Sequence, residues 1–178
     1  MKTTTKTNKI VISGICIALC VVLPIAFHAI PGLGSAFSPM HIPVLLCGLV
    51  CGAPFGLLCG IIGPVLSSLL TGMPMMAYLP GMVVELAVYG FTAGLILGML
   101  RKGKLYVRLY VSLILSMILG RIAAGAVQAL IFSVGEYSME MWLGSYFIGA
   151  WPAFILHLVL VPAVVIALEK AKLIHIND

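Results

Sequence analysis

Few residues of this 178-residue chain can do chemistry, and those few stand in apolar surroundings. Glu85 and Tyr89 lie four apart in MVVELAVYGF (82–91), so a helix there stacks a carboxylate and a phenol on one face. Arg121 heads RIAAGAVQ (121–128), with Gly125 at i+4 and Gln128 at i+7. His157 sits in AFILHLVLV, preceded by Trp151 and, further back, Tyr146. His28 ends the first apolar run and His41 opens the second. Ionisable groups inside apolar runs are costly to bury and are binding candidates by default. The plainer readings stand beside that one. Glu85 and Arg121 could simply neutralise each other, His157 could be a neutral core histidine on a backbone carbonyl, and His28 and His41 could be interface residues. Trp142, at the edge of a span, reads as part of an aromatic belt.

The catalytic patterns that such residues would need are missing. There is no HExxH for a metalloprotease, and no G-x-S-x-G surrounds Ser67, Ser68, Ser112 or Ser116. Only one acid, Glu85, is placed for burial, so a two-carboxylate metal or acid–base site cannot form. No glycine-rich phosphate loop is present, so the chain does not hydrolyse ATP itself. Cys16 and Cys20, like Cys47 and Cys51, fall on one helical face, and Cys59 lies in a third apolar run. Their small size suits close helix packing, and no histidine shares their turns to complete a metal site. Binding without a cofactor or metal is the expectation, and enzymatic activity is not.

The elements that carry these residues must sit in lipid. The chain is 62% hydrophobic and 8% charged, against about 25% charged in an average soluble domain. With about 20 apolar residues per crossing, the sequence divides into spans near residues 10–30, 41–51, 55–71, 78–100, 109–133 and 142–168. This is an all-α integral membrane fold, a six-transmembrane-helix bundle forming a single membrane domain over residues 1–178. With both termini cytoplasmic, the inner segments hold Lys2, Lys6, Lys9, Arg101, Lys102, Lys104, Arg108, Lys170 and Lys172. That is nine of the ten basic residues, as the positive-inside rule requires. The basic excess is thus topological and does not point to nucleic acid. Merging residues 41–71 into one helix would break this pattern, so Gly52-Ala53-Pro54 is read as a turn. No cleavable signal peptide is expected, because the apolar run after Lys9 is too long and lacks a small-residue cleavage site.

The second span is short: about 11 residues rise only ~17 Å. It needs shelter from protein, and broken or short spans often line transporter sites. Glu85 and Gln128 lie roughly 10 and 8 Å below the outer surface, at about 1.5 Å per residue. A pocket open to the outside is expected, capped by residues 31–41 and 71–80 with Met40, Met73, Met75 and Met76.

PMHIPVLLCGLVCGAPFGLLCGIIGPVLSSLL (39–70) and MVVELAVYGFTAGLI (82–96), in six short spans, resemble the substrate-binding S-components of energy-coupling factor (ECF) vitamin transporters. The resemblance covers nearly the whole chain. It implies a high-affinity vitamin binder of a bacterial inner membrane, served by a membrane coupling subunit and two ATPase subunits, and thought to topple to deliver its cargo. Gly14 and Ala18 in SGICIALC occupy the place of the family's AxxxA docking pattern, with glycine for the first alanine. The implied cargo site takes in His41, Glu85, Tyr89, Arg121, Gln128, Tyr146, Trp151 and His157. An unneutralised Arg121 would suit a carboxylate such as pantothenate. If Glu85 neutralises it, a hydroxylated neutral ring such as pyridoxine (vitamin B6) fits better, stacked on Trp151 or Tyr146. Riboflavin or a pyrimidine precursor follows. A small proton-coupled exporter or a membrane adaptor are the alternatives from other classes.

Overall fold

The computed structural model describes residues 5–28, 37–100, 102–132, 139–144, 149–174 and 176. Among them every regular element is helical: α1 (Lys6–His28), α2 (His41–Cys51), α3 (Ala53–Thr71), α4 (Leu79–Met99), α5 (Leu105–Val127), a π-helical turn (Gln128–Phe132), α6 (Met139–Leu143) and α7 (Trp151–Lys170). Helices α1, α3, α4, α5 and α7 are long and apolar enough to cross a membrane, and α2 is a shorter apolar helix.

Local chemistry sets the ends. Thr5 Oγ1 accepts the Asn8 N–H and caps α1. One residue, Gly52, separates α2 from α3. Its φ of 96° belongs to a region that favours glycine. Its N–H donates to the Gly48 carbonyl, ending α2, and its own carbonyl accepts from Gly56, starting α3. The turn is therefore one residue rather than Gly52-Ala53-Pro54. Ala53 and Pro54 already belong to α3, where a first-turn proline loses no hydrogen bond. The run expected over residues 142–168 is also divided: Trp142 lies in α6, and α7 begins only at Trp151, again with proline in its first turn.

Helix α2 is the buried element. All of its residues except Leu46 are buried, and it packs on α1, α3, α4 and α7. A helix apolar on every face is stable only when surrounded. The neighbours come close because glycines face one another. A Cβ on Gly48 or on Gly56 would run into the Gly90 carbonyl, one on Gly90 into Gly56, and one on Gly94 into the Ala53 backbone. Small residues at such crossings let backbones touch and gain dispersion contacts where lipid offers no hydrophobic drive. Cysteines extend this packing. Cys47 Sγ lies 3.4 Å from Ser13 Oγ, and Cys20 Sγ 3.8 Å from the Met40 carbonyl, tying α1 to α2 and its entry. All five thiols are free and buried. No group of three or more His, Cys, Asp or Glu placed to hold a metal occurs among the described residues.

Hydroxyls are satisfied locally, as an apolar solvent demands. Ser112 donates to the Arg108 carbonyl at 2.8 Å and Thr92 to Val88 at 2.6 Å. Ile15, Val22, Leu69, Leu119 and Val159 stay exposed, as lipid-facing residues would be.

Because the obstruction at Gly90 is backbone on both sides, Gly90→Val should cost about 2 kcal/mol or more by overpacking. Gly98→Ala, where a Cβ meets nothing within 4 Å, should stay within about 0.5 kcal/mol of the parent. Thermal unfolding of both variants in detergent checks the contrast.

Candidate functional site

One face of α4 carries Glu85 and Tyr89, one turn apart and both buried. The Tyr89 hydroxyl donates its proton to Glu85 Oε1 at 2.9 Å and accepts the Arg121 Nε–H at 3.0 Å. It thereby bridges an ion pair whose direct Arg121 Nε to Glu85 Oε1 separation is 4.0 Å. The donor roles are forced, since a carboxylate only accepts and a guanidinium only donates. The ring finds room because the residue facing it is Gly120; a Cβ there would overlap Tyr89 Cδ1 and Cε1. Arg121 Cζ also lies 5.2 Å from the centre of the Phe154 ring on α7, a cation–π placement that holds the guanidinium without adding charge.

Two histidines complete the cluster. His41 Nε2 lies 3.6 Å from Glu85 Oε1. Its ring meets Tyr89 edge-on at 5.3 Å and stacks on His157 at 5.6 Å, with 17° between the planes. His157 Nε2 lies 3.3 Å from the Ser38 carbonyl, which only accepts, so that nitrogen carries the proton. His41 is 5% exposed and His157 1%. The Nδ1 atom of each is buried with no hydrogen-bond partner among the described residues. An unmet polar atom in such a place costs about 1–3 kcal/mol, so both nitrogens are disposed towards a further partner.

Five of the residues picked from the sequence thus converge: His41, Glu85, Tyr89, Arg121 and His157. His41 is buried at the first residue of α2. Gln128 is half-buried in the π-helical turn continuing α5. Trp151 is 62% exposed at the start of α7 and does not stack in the cluster. Tyr146, and residues 31–36 of the expected cap, lie outside the described residues. In the other cap, Met75 and Met76 are exposed, and the loop backbone is pinned by Ser67 and Ser68 hydroxyls to the Met73 and Pro74 carbonyls.

Sequence reasoning misses three contributors. Trp142 packs on the site: its indole rests where a Gly125 Cβ would be, and its N–H donates to the Arg121 carbonyl at 3.2 Å. Gly120 and Phe154 are the other two. The signal for the glycines is present in GRIAAG (120–125), where two residues without side chains flank the buried cation.

The cluster holds one carboxylate balanced by one guanidinium and joined to it through a phenol, a set of hydrogen-bonding groups fixed in place. Removing the cation strands the anion. Arg121→Met should destabilise the protein by about 3–5 kcal/mol. Glu85→Gln combined with Arg121→Met should recover part of that loss, as a double-mutant cycle of melting temperatures in detergent will show.

Comparison with known proteins agrees with a helical membrane bundle. Residues 8–170 match the family described as ECF transporter, substrate-specific component. A search of curated proteins finds no match. Since the matched segment takes in nearly all of the sequence and every helix that builds the cluster, the chain belongs to the ECF transporter substrate-specific components, multi-pass membrane subunits that bind a substrate for uptake and are not enzymes.

Proposed function

We propose that this substrate-specific component captures a B6 vitamer such as pyridoxine at the cluster of His41, Glu85, Tyr89, Arg121 and His157. The observation that carries the reading is charge balance: Arg121 is already engaged through Tyr89 and Glu85. A carboxylate cargo would have to compete with Glu85 for the guanidinium, whereas a neutral hydroxylated ring needs only hydrogen bonds and apolar walls. Gln128, at the outer side of Arg121, and Tyr146, in the approach to α7, belong to the same proposed site.

In this reading α2 counts as a sixth, protein-sheltered span of a single membrane domain, and both termini lie in the cytoplasm of a bacterial inner membrane. Delivery runs through the ECF membrane coupling subunit and two ATPase subunits. The docking face is the side of α1 bearing Gly14 and Ala18. Both are exposed, and a Cβ on Gly14 would meet nothing within 4 Å. The small-xxx-small spacing leaves a groove for a partner helix.

Native mass spectrometry of protein released gently from detergent, without added ligand, tests the cargo. A co-purified mass of a B6 vitamer is the expected result. A pantothenate mass, or pantothenate binding with pyridoxine ignored, would overturn the vitamer assignment and leave the uptake role intact.

A further inference from the structure

The two stacked histidines carry a consequence for the kind of molecule the site accepts. A neutral imidazole has one N–H and one bare nitrogen, and the tautomer follows from what each nitrogen faces. His157 Nε2 faces the Ser38 carbonyl at 3.3 Å and His41 Nε2 faces the Glu85 carboxylate at 3.6 Å. Neither oxygen can donate, so the proton sits on Nε2 in both rings and the lone pair on Nδ1. Arg121 already balances Glu85, and a second cation at His41 would leave the buried cluster with net positive charge. Both Nδ1 atoms are therefore bare acceptors, buried and without a partner among the described residues. The near-parallel rings lie with centroids 5.6 Å apart, so the two unpartnered nitrogens belong to one stacked pair, and Tyr89 meets the His41 ring edge-on.

We propose that His41 and His157 act together as an acceptor pair that selects cargo by its hydrogen-bond donors. The pair reads O–H or N–H groups on an uncharged ring, and this end of the site takes no carboxylate or phosphate. The inference rests on the vitamin-binding reading above and adds which atoms choose the substrate. An anion brought to two bare nitrogens meets lone pair against lone pair, while a hydroxyl or amino group meets each with a proton. Discrimination by donors is sharp when the site's own acceptors are left unmet by the wrong ligand.

Methyl ethers give the test, because O-methylation keeps the oxygen and its lone pairs but removes the donated proton. Binding of pyridoxine, its three mono-O-methyl ethers and pantothenate is measured by calorimetry on the purified full chain in detergent. At least one ether should bind about tenfold to a hundredfold more weakly than pyridoxine. In His41→Phe or His157→Phe that difference should shrink towards unity. The comparison on the unsubstituted protein stands even if a variant fails to fold. Three ethers binding as tightly as pyridoxine would overturn the inference, because water or nothing would then occupy the nitrogens. Pantothenate binding in preference to pyridoxine would overturn it too, while leaving vitamin uptake standing. A protein that binds no vitamin at all would bring down both readings. Nitrogen NMR of isotopically labelled histidines gives an independent check without ligand. Both Nδ1 atoms should be unprotonated, and a protonated Nδ1 on either ring would refute the acceptor pair.

Discussion

The backbone contact at Gly90 is the constraint on which the rest of the bundle depends. Gly48, Gly56 and Gly90 meet with no side chain between them, and Gly94 closes on the turn at Ala53. The contact lets α2, too short to cross the bilayer unaided, lie enclosed by α1, α3, α4 and α7. It also fixes the rotation of α4. With the Gly90 face committed to α2 and α3, the adjoining face carrying Glu85 and Tyr89 turns towards α5 and Arg121. A packing requirement thus sets the geometry of the polar cluster, because consecutive residues on one helix serve the two purposes.

The polar cluster obeys the logic of a solvent that offers no hydrogen bonds. An isolated carboxylate or guanidinium in such surroundings would be prohibitive, and direct pairing recovers the cost only with good geometry. Here a phenol supplies that geometry. Tyr89 gives its one proton to Glu85 and its lone pair to Arg121, so the two charges are linked through a neutral hydroxyl. Trp142 adds a further tie, from helix α6 to the Arg121 backbone. The guanidinium is held by Tyr89 and lies over the Phe154 ring, while the Arg121 backbone carbonyl is held by Trp142. That degree of support is what a preorganised binding site needs, since groups held in place lose little freedom on capture. It also separates this arrangement from a proton-coupled exporter, where the working carboxylate must be released from its partners in each cycle.

The molecule divides its labour between faces. The exposed side of α1, with large apolar residues around Gly14 and Ala18, is suited to lipid and to another helix. The polar cluster lies on the far side of α2, between α4, α5 and α7. Helix α2 separates the two and carries His41 at one end, so a single short element joins the packing core to the polar cluster.

Much of this is legible in the order of the residues. Composition alone demands lipid, because too few charged residues exist to cover a water-facing surface. Gly52 and the first-turn prolines mark where helices begin and end. The rarity of Glu85, Tyr89, Arg121, His41 and His157 in apolar runs singles them out, since each would be ruinous to bury without a purpose or a partner. The tertiary structure alone decides how they meet. In a lipid-embedded helix nearly every face is apolar, so periodicity no longer reveals which side is interior. That is why the sequence does not show that Trp151 stands exposed and that Trp142 packs on Gly125. It is also why Gly120 and Phe154 escape notice in the sequence. Their role is to leave space for Tyr89 and to cover Arg121, and such complementarity exists only once the helices are side by side.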